Sequence, residues 1–412
     1  MVMEKNNQIK NIIIVYDYSF INGGAGKVAI QSAIELSKKK YNVYFFSAVG
    51  PVCRELEKSN VNVTCMNIKD INNDSIYRAL FKGIWNFKAY GEFGDFLKKF
   101  NNKDTVIHFH GWTKALSSSV VKKATDNNFT VIVTLHDYFS FCPNGGLYNY
   151  KSGEICNIKP SSIRCYFCNC DKRSYFQKIW RSIRQIVQNK YVKNNSKIKY
   201  IYISDLNKKV SINQLKSEDF YFIQNPIEVD KNVENKREFD FIYVGRVSEE
   251  KGVDLLCEAI DRLNKKGYKY KVLIVGDGPL LNELEEQYRN IEFCGWKKND
   301  EVYSLIAKSK YLVFPSKWYE GAPLTIIEAM LLNTPCIISD CTSAVEIIQN
   351  NVNGLIFETS NIDSLCEQLI NAMSSDKDNK FKSNIRENMN KDRFLLCNHA
   401  NNLEKLYNQL VK

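Results

Sequence analysis

Short aliphatic runs alternate with amphipathic segments along almost the whole chain, and that alternation admits few folds. In the first half IIIVYDY (12–18), NVYFFSA (42–48), VNVTCMNI (61–68), TVIHFHG (105–111), TVIVTLHD (130–137) and KIKYIYIS (197–204) read as strands. Helical patterns such as AGKVAIQSAIELSKKK (25–40) separate them. This is the signature of parallel βαβ units wound into one sheet. After the polar stretch YFIQNPIEVDKNVENKREFD the alternation starts afresh, with FIYVG (241–245), YKVLIVG (270–276), IEFCG (291–295), KYLVFPS (310–316), PCIISD (335–340) and GLIFE (354–358).

A length of 412 residues exceeds one ordinary core. The fold class expected is therefore α/β, with two doubly wound, Rossmann-like parallel-sheet domains facing across a cleft. Domain boundaries fall at 1–225 and 226–391, with a closing helix over 392–412 expected to return to the first domain. Open α/β sheets bind ligands beyond the C-terminal ends of their strands, so the strand-to-helix turns are where chemistry is sought.

A formal net charge of +11 favours anionic partners, among them nucleic acid, anionic lipid and phosphorylated substrates. No stretch approaches the roughly 18 apolar residues of a spanning helix. Near the N-terminus only Ile12 to Val15 is uninterruptedly aliphatic, too short for a signal sequence. The expected location is the cytoplasm, where thirteen cysteines are free thiols or metal ligands rather than disulfides.

The first loop, Asn22-Gly23-Gly24-Ala25-Gly26-Lys27, fails as a P-loop because Ile21 stands where a glycine is needed and Val28 follows the lysine. It fails as a dinucleotide fingerprint because NVYFFSAVG carries no acid for a ribose. A glycine turn opening a helix N-terminus remains, fit either to approach a ligand's phosphate or sugar or simply to pack helix on strand. In the second half Arg246 directly follows a strand and Lys251-Gly252 opens the next helix, which suits a diphosphate or a solvated loop.

KWYEGAPLTIIEAM (317–330) holds two carboxylates. Glu320 falls in a loop, but Glu328 lies in an otherwise apolar helical run, on the face with Leu324, Ile327 and Leu331. A buried, unpaired carboxylate costs several kcal/mol, roughly. A ribose diol accepted by Glu328, beside the anion site that Gly321, Ala322 and Pro323 form at the helix start, would make the placement tolerable.

Taken in order, GRVSEEKG, VGDGP, FCGW, PSKWYEG with its E-x7-E spacing, and NGLIF resemble the group 1 (family 4) retaining glycosyltransferases of the GT-B fold. The likeness is nearly continuous from 240 to 360; the first half matches more loosely through NGGAG, HFHGW (108–112) and TLHDY (134–138). The resemblance implies an acceptor-side first domain and a second domain that binds a nucleotide-diphospho-sugar. It implies transfer to a glycan or polyprenyl-diphosphate-linked acceptor, as in bacterial capsule, O-antigen, lipopolysaccharide or exopolysaccharide synthesis. Arg246 and Lys251 would bind the diphosphate and Glu328 the ribose. Glu320 with the Gly321–Leu324 amides would position the donor sugar, Gly23 and Gly24 would line the phosphate side, and His136 would contact the sugar near the reaction centre. At SDCTSAVEII (339–348) Thr342-Ser343-Ala344 replace the family's usual glycines, which leaves Glu346 without a role. The implied mechanism is front-face substitution without an enzyme nucleophile. A metal would want a DxD after a strand, and Asp376-Lys377-Asp378 lies in a polar stretch, so metal-independent transfer with no required cofactor is expected.

Two segments stand outside that pattern. The insert 142–170 carries Cys142, Cys156, Cys165, Cys168 and Cys170. Structural zinc held by Cys142, Cys156, Cys165 and Cys168 and free thiols are both open readings, with a redox role third. Residues 171–195 read as a basic amphipathic helix with an apolar stripe at Phe176, Ile179, Trp180, Ile183, Ile186 and Val187. It suits an anionic membrane surface or an ordinary domain helix with a wet basic face. The alternatives to transfer are a nucleotide-sugar epimerase or other enzyme on the same scaffold, and a non-catalytic basic scaffold protein. Nucleic acid is not expected, since no interleaved aromatic and basic strand motif or zinc-finger histidine pair is present.

Overall fold

Every residue of β1 (Asn11–Tyr18) beyond the first is buried, which a strand achieves only when both faces of its sheet are covered. The computed structural model describes residues 9–228, 237–374 and 377–411. Along the chain follow β2 (Asn42–Val49), β3 (Asn62–Cys65), β4 (Thr105–Phe109), β5 (Thr130–Thr134), the short β6 (Tyr148–Asn149) and β7 (Glu154–Ile155), β8 (Ile198–Tyr202) and β9 (Phe220–Phe222). Then come β10 (Phe239–Val244), β11 (Val272–Val275), β12 (Glu292–Phe293), β13 (Ser309–Phe314), β14 (Cys336–Ser339) and β15 (Gly354–Phe357).

Two compact units result: Met1–Gly146 with Asn157–Pro226 and Arg393–Lys412, and Leu147–Cys156 with Ile227–Asp392. The first holds a parallel sheet in the order β3-β2-β1-β4-β5-β8-β9, the second one in the order β12-β11-β10-β13-β14-β15. Each winds outward in both directions from its first strand, so each has a switch point: β1 beside β4, and β10 beside β13. The edge strand β9 was not expected from the sequence; it is a three-residue aromatic run at the start of the polar linker that pairs with β8.

In the second unit alternate strand residues feed two cores. Phe241, Tyr243, Val272, Ile274 and Val313 pack with the helices Val253–Lys265 and Ile362–Ala372. Ile242, Leu273, Val275, Leu312 and Phe314 pack with the helices Asn299–Ala307 and Leu324–Leu331. In the first unit the C-terminal helix Leu396–Leu410 lies on the helix Gly24–Ser37, joining Leu403, Leu406 and Tyr407 to Ile30, Ala33 and Leu36. His399 fixes it through Ser32 Oγ at 2.9 Å and the Gln224 carbonyl at 2.8 Å.

The cysteine insert departs from expectation, since it does not lie wholly in the first unit. Its hairpin β6–β7 belongs with the second. There Tyr148 is fully buried, and burial together with nearby Glu249, Asp254 and Glu250 pushes its hydroxyl well above the usual tyrosine range. Among the described residues no helix is long and apolar enough to cross a membrane.

Candidate active site

The switch point of the second unit is built by the loops after β10 and β13. Gly252 holds a left-handed conformation, φ 70°, and caps the helix Val253–Lys265. A Cβ there would stand 1.9 Å from the Pro315 carbonyl oxygen, so only glycine lets the two loops meet. The approach carries Lys251 onto the loop after β13, where its Nζ lies 2.5 Å from Glu320 Oε1 and 5.4 Å from the centre of the Trp318 ring.

Glu320 Oε1 also accepts from Trp318 Nε1 at 2.6 Å and Ser316 Oγ at 3.0 Å. Three donors thus converge on one oxygen and fix the carboxylate. Its backbone is held too, the Glu320 carbonyl accepting from Ser343 N–H at 3.1 Å. Arg246, on the other side of the turn, is exposed, with its carbonyl fixed by the Tyr243 hydroxyl at 2.7 Å. Lys251 and Glu320, expected in the site from sequence, are therefore in direct contact, and Arg246 ends the strand beside them.

Pro323 caps the helix Leu324–Leu331 instead of forming its first residue, because its ψ of 101° is extended. Gly321 and Ala322 precede it half-buried. Glu328 is buried, and it accepts from the Tyr303 hydroxyl at 3.2 Å; the same hydroxyl donates toward the Glu228 carbonyl at 3.2 Å. A protein hydroxyl, unforeseen in the sequence, therefore shares in stabilising this carboxylate. Glu346 is exposed in a short 3-10 turn. Asp376 of the DxD considered above lies outside the described residues.

In the first unit Gly23 caps the helix Gly24–Ser37 at φ 148°, with open space where a side chain would project. All four histidines of the chain are in this unit. His136, just past β5, bonds through Nε2 to His110 Nδ1 at 2.9 Å. His108 is held between Thr134 Oγ1 at 2.7 Å and the Tyr407 hydroxyl at 2.6 Å. Burial, then repulsion from the other histidines, holds His108 and His110 well below the ordinary histidine range and His136 at about 3, and burial lowers His399 to about 4 against the bond to the Gln224 carbonyl. The buried Asp17 of β1 accepts the Lys114, Ala115 and Leu116 amides at 2.8–2.9 Å and so pins the loop after β4.

The four cysteines considered for zinc fall in different units. Cys156 goes with the second unit, Cys142, Cys165 and Cys168 with the first. Among the described residues no group of three or more His, Cys, Asp or Glu side chains is placed to hold a metal. Cys142 Sγ instead lies 3.1 Å from Asn144 Oδ1, and Cys165 Sγ 4.0 Å from the ammonium of the fully buried Lys178.

The basic helix, Tyr175–Gln188, is reversed from the reading of an ordinary domain helix with a wet basic face. Lys178, Arg184, Gln185 and Gln188, assigned in part to a wet face, are buried with Trp180, whereas Phe176, Ile179, Ile183 and Ile186 are exposed. The cause lies in the loop after His136. Arg184 donates to the Pro143 and Thr113 carbonyls, Gln185 to that of Ser140 and Gln188 to that of Phe139. Loop carbonyls that β5 cannot satisfy are met by the helix's polar face.

Sequence reasoning missed Tyr303, Trp318, Ser316, His110 and Asp17. Trp318 and Ser316 flank Glu320 within four residues and were legible as neighbours. His108 on β4 and His110 just past its end, at i and i+2, signalled a cluster. Tyr303 and Asp17 act across the fold and carry no local signal.

Residues 224–391 match the family model described as glycosyl transferases group 1. The chain is 25% identical over 225 residues to the UDP-Gal:alpha-D-GlcNAc-diphosphoundecaprenol alpha-1,3-galactosyltransferase of Escherichia coli, covering 52% of this chain and 57% of that protein. It is 31% identical over 153 residues to the lipopolysaccharide 1,6-galactosyltransferase of Escherichia coli K12, covering 34% and 42%. In both cases it spans less than two thirds of the relative. In structure it is similar to Anabaena HepE in complex with UDP and glucose, with a TM-score of 0.67, 14% identity and coverage of 97% of this chain and 100% of that one.

Proposed function

We propose, from the match of residues 224–391 to the group 1 glycosyl transferase model and from a GT-B fold, that the chain is a retaining glycosyltransferase. It moves a sugar from a nucleotide-diphospho-sugar to a glycan or polyprenyl-diphosphate-linked acceptor in cell-surface polysaccharide synthesis. The E. coli relatives, whose names carry a diphosphoundecaprenol acceptor and lipopolysaccharide, support the acceptor class. The UDP and glucose held by HepE make uridine diphosphate sugars the first donors to test.

The observation that carries the reading is the Lys251–Glu320 contact at the β10/β13 switch point. Lys251 and Arg246 supply positive charge for a leaving diphosphate, and the amides at the start of Leu324–Leu331 add donors. With Lys251, Trp318 and Ser316 converging on Glu320 Oε1, the second carboxylate oxygen is assigned to a hydroxyl of the donor sugar. Glu328 is assigned the ribose hydroxyls, Gly23 and Gly24 the phosphate side and His136 the sugar near its anomeric carbon. The anomeric carbon–oxygen bond to the diphosphate breaks as the acceptor hydroxyl adds from the same face, and the acceptor proton passes to the departing diphosphate oxygen. Orientation and charge stabilisation then supply the rate, without a required metal.

The test is release of nucleoside diphosphate from a panel of nucleotide sugars, with and without a lipid-diphosphate glycan acceptor, and NMR of the product's anomeric configuration. Acceptor-dependent release with retained configuration, undiminished by a chelator, is expected. Acceptor-independent conversion of the donor to an epimer would establish the rival enzyme. Neither turnover nor thermal stabilisation by any nucleotide would leave the scaffold reading.

A further inference from the structure

The reversed helix Tyr175–Gln188 turns apolar side chains to solvent, and its neighbours do the same. Phe176 is 67% exposed. Trp180 Nε1 donates to the Leu80 carbonyl at 2.9 Å, which sets the helix Ile76–Ile84 alongside, where Phe81 is 76% exposed and Phe87, just beyond, 80%. On the other flank Ser182 Oγ donates to the Tyr166 carbonyl at 3.1 Å, placing Ile163–Phe167 next to it, with Phe167 70% exposed. Three adjacent helices of one unit thus present aromatic and aliphatic side chains together, which a protein in water alone rarely sustains.

Cations predominate around this face. From Asn157 to Ser204 the chain has eleven Lys and Arg and a single acid, Asp171. Asp171 is buried and lies 3.2 Å from Arg181 Nε. Arg164, Lys172, Arg173 and Lys190 are exposed around the apolar side chains, as is Arg78 on the Ile76–Ile84 side, where Lys88 pairs with Glu92 and Lys82 with Asp74. A second copy docked by the same face would set these cations against their own images. An anionic bilayer complements both features, taking the aromatic side chains at the acyl boundary and the arginines and lysines on lipid phosphates.

We propose that this face docks the first unit in plane on an anionic lipid surface, through Phe81, Phe87, Phe167, Phe176, Ile183 and Ile186. The in-plane membrane helix considered from sequence carries its apolar stripe to the lipid; here the polar face is committed to the loop after His136, and most of that stripe is the face presented. The proposal stands apart from sugar transfer and fails or holds independently of it.

Sedimentation of the full chain with vesicles of phosphatidylglycerol and phosphatidylcholine, against phosphatidylcholine alone, is the experiment. Binding to the anionic vesicles is expected, reduced about tenfold or more by F176S/I183S, each serine removing an exposed apolar side chain. Trp296→Ser, exposed in the second unit, serves as the control and leaves binding intact, and thermal melts verify that the variants fold. Failure to bind anionic vesicles overturns the proposal. So does binding that F176S/I183S leaves unchanged, or a dimer in solution that F176S/I183S dissociates, which would make the face an interface between copies.

Discussion

His110 Nδ1 lies 2.9 Å from His136 Nε2, with the rings stacked at 25°. His110 Nε2 is buried without a hydrogen-bond partner among the described residues. A buried unsatisfied N–H costs more than an unfilled lone pair, so the His110 proton belongs on Nδ1. His110 then donates to His136 Nε2, and the neutral His136 carries its own proton on Nδ1, as a donor for a sugar oxygen. His110→Asn places an amide N–H near the position of Nδ1 and should preserve this tautomer; His110→Gln places it near Nε2 and should not. Nitrogen NMR of the histidines, with only four to assign, should show His136 as the Nδ1–H form, and turnover should fall about tenfold or more in the Gln variant. An Nε2–H tautomer would refute the assignment.

Glu320→Gln keeps shape but removes the charge that Lys251 and Trp318 meet. It should lower kcat by roughly 10²- to 10³-fold with a smaller change in donor KM, as removal of a transition-state contact does. Trp318→Phe deletes one of the donors on Oε1 and should cost about tenfold or less. Rates of nucleoside diphosphate release measure both, and a raised KM with kcat unchanged would place Glu320 in binding alone.

Tyr303→Phe removes one hydroxyl from Glu328. Donor affinity by calorimetry should weaken several-fold, and stability should drop by about 1 kcal/mol. Unchanged affinity would separate Glu328 from the ribose.

Acid should destabilise the first unit through its histidines. Their folded pKa values are lowered, to about 3 for His136 and about 4 for His399, against about 6.5 in an unfolded chain. Below about pH 6.5 the unfolded state binds protons that the folded state refuses, so stability present at pH 7 is lost as pH falls toward 4. Each histidine contributes at most about 1.4 kcal/mol per pH unit. Thermal melts should fall across that window, and a flat profile from pH 7 to 4 would contradict the buried, neutral cluster.

Both sheets were legible because parallel strands buried on two faces must be apolar throughout, and the helices between them must be amphipathic; β1 and β10 show it plainly. Lys251, Gly252 and Glu320 were legible for a related reason, since turns at strand ends have few residue choices. The short β9, and the departure of β6–β7 to the second unit, were not, because two or three residues carry no period.

By itself the sequence determined the two wound sheets, the turns at their strand ends and the placement of Glu328 on an apolar helix. Only tertiary structure decided what satisfies that carboxylate and which way the Tyr175–Gln188 helix faces. Amphipathic spacing fixes that a helix has two faces, but the inward face is chosen by the partners it meets. Here those partners are the backbone carbonyls of Phe139, Ser140 and Pro143, and buried carbonyls draw polar side chains inward even where a hydrophobic stripe is available.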